Sequence, residues 1–97
     1  MEVAYHTQAE PELLERVAYY GDVSPALGFQ ARDELKTVIG RIAANPRRYH
    51  FISPRHRRAN LKQFPYHISY EEMLDGSARI LVVRHDQRHP SFGLKRK

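Results

Sequence analysis

The chain has 97 residues, 41% of them hydrophobic, a net charge of +5 and no cysteine. That length supports one domain, residues 1–97, burying about 60–65% of the surface its unfolded chain would expose, and excludes a second. Without cysteine, disulfides and thiolate metal centres are excluded, and nothing points to an oxidising compartment. The first residues are acidic and hold no apolar core behind positive charge. No stretch approaches the roughly 18 apolar residues of a membrane span, so a soluble, cytoplasmic protein without membrane contact is expected.

In chain order, Val3 to His6 reads as a short edge strand. Thr7 offers an N-cap hydroxyl with Glu10 three positions on, and Pro11 is tolerable in a first turn whose amides lack helical acceptors. A first helix follows, with Leu13, Val17 and Tyr20 on one stripe, Leu14 and Ala18 beside it, and Gly21 as the expected stop. Ser24-Pro25 is a second start signal, a serine N-cap before a proline at the first helical position. Leu27, Leu35, Val38, Ile39 and Ile42 hold the helical period up to Asn45-Pro46, where the residue before proline is pushed out of the α region. So short a connection predicts an antiparallel helix hairpin.

The segment from Pro46 to Arg58 reads as a basic loop. From Ala59 the period changes to two, which predicts strands over 59–63 and 66–70 joined at Phe64-Pro65. Asp75-Gly76 is a strong turn signal before a third strand, 79–84, apolar on both faces and therefore interior to its sheet. The expected fold is an α+β two-layer sandwich: an N-terminal strand, an antiparallel helix hairpin, then a three-stranded antiparallel segment completing a small twisted sheet.

Charge is sorted along this order. Residues 35–70 contain no acid but carry Lys36, Arg41, Arg47, Arg48, Arg55, Arg57, Arg58 and Lys62, whereas seven of the eleven acids precede Leu35. A one-sign field interleaved with Tyr49, Phe51, Phe64 and Tyr66 is the electrostatic footprint of a polyanion-binding surface.

Several spacings carry a resemblance. They are Tyr19-Tyr20, Pro25-x-Leu27-Gly28, Glu34-Leu35, Asn45-Pro46, Arg57-Arg58-x-x-Leu61-x-x-Phe64-Pro65-Tyr66-x-Ile68-x-Tyr70 and His85-x-x-Arg88-x-Pro90. In this order they resemble the RelE/ParE superfamily of toxins of type II toxin–antitoxin systems, especially its plasmid-stabilisation, ParE-like branch. The resemblance spans nearly the whole chain. It implies a small basic toxin that arrests growth until a cognate antitoxin, acidic and partly disordered before binding, wraps it. Leu14, Val17, Leu35 and Ile39 on the hairpin are the expected antitoxin anchors.

The family divides on target. RelE-like members resemble metal-independent endoribonucleases that cut mRNA in the ribosome; ParE-like members poison DNA gyrase without turning over a substrate. This chain departs from its branch near the end, where Phe92-Gly93 stands in place of an aromatic pair and brings no hydroxyl.

Metal-free RNA cleavage needs a base for the 2′-hydroxyl, cations for the developing phosphorane charge and an acid for the leaving oxygen. His85 and His89, of a residue type that titrates near about pH 6.5, can exchange protons. Arg58, Arg84 and Arg88 can hold phosphate with forked donors. Arg55, Arg57, Lys62, Lys95, Arg96 and Lys97 would supply docking charge. Structural roles compete for the same residues: His85 as a strand-end side chain bonded to backbone, Arg88 and Pro90 as a turn, Arg58 as a bridge to Glu71 or Glu72. Strand alternation sends Arg84 and His85 to opposite faces. His50, His56 and His67 lack acidic or cysteine company, so neither a metal site nor a cofactor is expected. The fit is a ribonuclease toxin acting on ribosome-bound mRNA or a gyrase-binding toxin, with a small balance towards RNA.

Overall fold

The structure, a computed structural model, describes residues 3–85. Its elements are β1 (Ala4–Tyr5), α1 (Ala9–Val23), α2 (Pro25–Ala44), β2 (His50–Ser53), β3 (His56–Asn60), β4 (Tyr66–Glu72) and β5 (Ala78–His85). The strands form one sheet in the order β1-β5-β4-β3-β2, antiparallel throughout except for β1, which runs parallel to β5. This is the α+β arrangement expected, with four strands after the hairpin instead of three. The additional strand is β2, formed within the segment read as a loop; β3 also begins in that segment, at His56 instead of Ala59, and ends at Asn60 instead of Gln63.

Helix α2 follows its local signals closely. Ser24 is extended (φ −163°, ψ 137°), as a residue before proline must be, and its Oγ accepts the Leu27 N–H at 3.2 Å. The helix ends at Ala44, before Asn45-Pro46. Helix α1 departs from expectation at both ends. Gln8, not Thr7, holds the N-cap position and makes no side-chain cap. The buried His6 ties down the start instead: its carbonyl accepts the Ala9 N–H at 2.9 Å and its Nδ1 accepts the Gln8 N–H at 3.1 Å. Nor does Gly21 stop the helix, which runs on to Val23 until Pro25 forces Ser24 out of the α region.

Ser24 is thus the whole connection between the helices, and Gly21 has a different use. A Cβ at Gly28 would stand 2.7 Å from the Gly21 Cα and 3.0 Å from its nitrogen, so the two backbones cross without room for a methyl group. Beyond this crossing the helices run back along each other: Tyr20 and Arg16 share one cavity wall with Ala31 and Leu35.

The hairpin covers one face of the sheet. Ala31, Leu35, Val38, Ile39 and Ile42 from α2 pack with Ala59, Tyr66, Ile68, Tyr70, Ile80 and Val83 in a single core. Tyr66, Ile68 and Tyr70 are core residues, and so is Phe64, on which Tyr20 packs its ring at 4.6 Å; Phe64 and Tyr66 therefore do not belong to an aromatic surface among the charges. Strand β5 is interior, flanked by β1 and β4, in keeping with its apolar run. Gly76, at φ 86°, closes the β4–β5 hairpin in a conformation that favours glycine, and Asp75 accepts the Ser77 N–H and hydroxyl. No helix among the described residues is long and apolar enough to cross a membrane.

Candidate nucleic-acid interface

The pairing register sorts the basic residues between faces, because directly opposed residues share a side of the sheet. Arg58 pairs with His50 and Ser69, and Asn60 pairs with His67, which pairs with Arg84. The positions of His50, Arg58, Asn60 and His67 are on the face away from the helices, whereas Arg84, at the same register, meets Glu12 of α1 at the open edge of β5. Arg57 pairs with Tyr70 and Phe51, and His85 pairs with Tyr66, on the helix side.

Arg57 is a latch. Its guanidinium lies 3.8 Å from the Phe51 ring centroid and donates to the carbonyl oxygens of Tyr49 (2.7 Å) and Arg47 (3.2 Å), fixing the incoming loop to β2 and β3. Arg58 donates from Nε to Asn60 Oδ1 at 2.8 Å. The bridges to Glu71 and Glu72 considered for Arg58 belong to other arginines: Arg79 meets Glu71 at 3.3 Å and Arg47 meets Glu72 at 3.2 Å. The hydrogen bonds that Arg47 donates to the Glu72 carboxylate raise the Arg47 pKa above its ordinary value.

Beside β3 lies a groove of about 520 Å³ whose walls include Arg41, Arg48, Tyr49, Asn60 and Lys62. Arg48 stands 5.7 Å from the Tyr49 ring centroid, and that ring packs edge-on against Tyr70 at 6.4 Å. Asp33 and Glu34 line the same groove, but Glu34 is occupied: its carboxylate accepts the backbone N–H groups of Lys62 and Gln63 at 3.0–3.2 Å and holds the β3–β4 connection against α2. Among the described residues Arg41, Arg48, Arg55 and Lys62 make no ion pair with a carboxylate, so their charge faces solvent. An aromatic ring bordered by unneutralised cations suits a phosphate backbone with its bases. Arg41 belongs to the basic field of residues 35–70 but not to the docking residues expected from the sequence. Its signal was the α2 spacing Gln30, Glu34, Thr37 and Arg41, one polar stripe at helical period.

The end of β5 makes a second basic cluster. Strand β1 pairs only with Arg79 and Ile80, leaving the edge of β5 beyond them open to α1. There the buried Glu12 accepts the Val83 N–H at 3.2 Å and pairs with Arg84 at 2.8 Å. Arg84 is engaged by this carboxylate. His85 stands edge-on to the Tyr66 ring at 5.1 Å, and Arg16 donates to the Tyr66 hydroxyl at 3.3 Å, which raises the Arg16 pKa. Arg16, Tyr66, Val83, Arg84 and His85 enclose about 230 Å³. The sequence pointed to His85 and Arg84 but not to Arg16, which comes from the acidic first third of the chain.

Three of the five candidate catalytic residues, Arg58, Arg84 and His85, are therefore described: Arg84 and His85 line one cavity at the strand end, where alternation does not keep them apart, and Arg58 is not among its lining residues. Arg58 and His85 are at register positions on opposite faces of the sheet, and Arg58 aligns through Ser69 with Val82, two strands away and two residues along β5 from Arg84. Arg88 and His89, with Lys95, Arg96 and Lys97, lie outside the described residues. Of the docking residues, Arg55 and Lys62 are exposed and Arg57 is the latch. Of the hairpin anchors, Leu35 and Ile39 are core residues, 2% and 9% exposed, because the apolar stripe of α2 is turned onto the sheet; Val17 packs against the same core, and Leu14, 61% exposed, stands at the surface. Among the described residues no three His, Asp or Glu side chains gather as metal ligands would. No protein-family model matches the chain, and no curated protein matches it.

Proposed function

We propose that this protein is a growth-arresting toxin of a type II toxin–antitoxin system, related to the RelE/ParE superfamily, and that it acts on ribosome-bound mRNA. The observation that carries the reading is the basic wing of the sheet. Arg41, Arg48 and Lys62 line one groove with Tyr49, and among the described residues none of the three is ion-paired, which suits a phosphate backbone with exposed bases. The ordered motifs from Tyr19-Tyr20 to His85-x-x-Arg88-x-Pro90 support the class, as does the strand, helix hairpin and antiparallel strand order. Cleavage would draw on His85 and Arg84 at the end of β5 together with Arg88 and His89, with Arg58 as a docking cation on the other face, without metal, and would leave a 2′,3′-cyclic phosphate.

A second reading is favoured by one observation. Arg58 and His85 leave opposite faces and Arg84 is held by Glu12, so among the described residues the cations form a docking surface, not a closed catalytic centre. A ParE-like protein that inhibits gyrase by binding needs only such a surface.

Tightly controlled expression tests the class: growth stops and a cognate acidic antitoxin restores it, whereas normal colony counts with folded protein defeat the toxin reading. Primer extension on mRNA from induced cells, run beside a gyrase supercoiling assay, decides the target. New 5′ ends with unaffected supercoiling support the RNA reading. Intact mRNA with blocked supercoiling replaces it with the gyrase reading.

A further inference from the structure

The outermost strand β2 is an open sheet edge. It pairs with β3 on one side, and among the described residues nothing hydrogen-bonds its other side. Exposed edges in folded proteins are usually blunted by lysine, proline or inward-pointing charge. The sequence of β2, His50-Phe51-Ile52-Ser53, contains none of these, and Pro54 comes only after the strand has ended; the edge is limited instead by its length of four residues and by the register shift between Phe51 and Ser53, so a partner strand would be short. Its apolar side chains are at the surface: Phe51 is 58% exposed and Ile52 38%. Beside Phe51 a depression of about 420 Å³ is walled by Arg55 and Arg57 and by Met73 and Leu74 of the β4–β5 turn, both of them exposed.

We propose that β2 is a docking strand for an extended acidic segment of a partner protein, which adds to the sheet as a sixth strand and seats its apolar side chains against Phe51, Met73 and Leu74. Charge selects this occupant. The acids bordering the depression, Glu71 and Glu72, already face Arg79 and Arg47, whereas Arg48 and Arg55 at the two ends of β2 have no carboxylate partner among the described residues. A second copy of this chain is disfavoured for the same reason. Antiparallel pairing of two β2 strands would set Arg55 of one against Arg48 of the other, and like charges directly opposed destabilise a strand pair. The site stands on the edge itself and does not depend on the toxin reading; if that reading holds, the antitoxin's acidic segment is its natural occupant.

The test is fluorescence anisotropy with a short labelled peptide alternating glutamate and valine, added to the full chain. Saturable binding is expected, weakening as salt rises, and falling about tenfold or more in Phe51→Asp and Arg55→Glu, each checked for fold by circular dichroism. Hydrogen exchange should slow at amides of residues 50–53 when peptide is bound. A peptide N-methylated at alternate residues loses the main-chain bonds and should not bind; equal binding by it overturns strand addition. Equal binding by a lysine–valine peptide overturns the charge selection, and absence of saturable binding by the glutamate peptide overturns the site. A dimer in sedimentation equilibrium that Phe51→Asp dissociates would give the edge to a second copy. None of these readings involves growth arrest, so their failure is distinct from failure of the proposed function.

Discussion

The β4–β5 half of the sheet and the β2–β3 wing are made of the same kind of strand and put to opposite uses. On β4 and β5 the side chains from Tyr66 to Tyr70 and from Ile80 to Val83 are nearly all removed from water, and the charges there are answered: Glu12 by Arg84, Glu71 by Arg79. On β2 and β3 most residues are exposed or half-exposed, the register shifts between Phe51 and Ser53, and the cations outnumber nearby acids. The difference shows where stability ends and recognition begins. Burial requires each charge to be paired, since an unpaired buried ion is too costly to keep. Excess charge is therefore confined to the wing, where water solvates it and a polyanion can displace that water.

If this division is right, changes in the first region should cost stability and leave the surface charge alone. The largest effect belongs to Glu12. Replacing it by alanine removes the ion pair with Arg84 and the acceptor of the Val83 N–H, and should destabilise by about 3 kcal/mol in urea unfolding. Glu12→Gln, which keeps the acceptor but loses the ion pair, should cost less; an equal loss would mean that the carboxylate charge carries the whole effect.

Next is Gly28→Ala. Because its Cβ would meet backbone of Gly21 and not a movable side chain, the helices must separate, at about 1–3 kcal/mol. A thermal midpoint unchanged from the parent would show that the crossing has slack.

A smaller effect tests the border between the two regions, where Tyr70 donates its hydroxyl to the Pro46 carbonyl at 2.6 Å. Burial pushes the Tyr70 phenol from 10.0 up to about 12, and burial with a hydrogen bond to Tyr66 does the same for Tyr20. Between those values the unfolded chain releases these protons while the folded chain keeps them. Stability is therefore fully present below pH 10 and falls as pH rises towards 12. Tyr70→Phe should lose about 1 kcal/mol at neutral pH but decline less steeply in alkali, as followed by denaturant titration across pH.

The smallest change in stability, within about 0.5 kcal/mol of zero, is expected for Arg55→Ala and Arg48→Ala in the wing. The same variants should weaken binding of single-stranded RNA and lower the slope of log affinity against log salt by about 0.7 per lost phosphate contact. Unchanged affinity and slope would erase the functional half of the comparison.

Much of this was legible in the chain because it follows from rules acting over a few residues. Ser24-Pro25 opens α2 and Asn45-Pro46 closes it through the steric demands of proline. Asp75-Gly76 turns the β4–β5 hairpin because glycine accepts φ 86° without strain. Two-residue alternation marked β4, and the apolar run 80–83 marked an interior strand. The charge sorting, a property of composition along the chain, announced the basic wing.

The remainder was decided by residues far apart in sequence. Strand β2 has no alternating pattern of its own; it is a strand because β3 offers it a ladder. Gly21 does not end α1, since a glycine stops a helix only where the chain must turn, and here its bare Cα is needed for the crossing with Gly28. His6 starts α1 in place of Thr7 because β1, docked on β5, carries it to the first amides. Leu35 and Ile39 satisfied the pattern of a binding stripe equally well as that of a core stripe, and periodicity cannot say which side of a helix meets the sheet. The Val83 N–H finds Glu12 across 71 positions, and Arg16 finds Tyr66 across 50. Local sterics and charge order are written in the sequence itself, whereas which cations are neutralised and which remain for a ligand depends on the pairing of distant strands and helices.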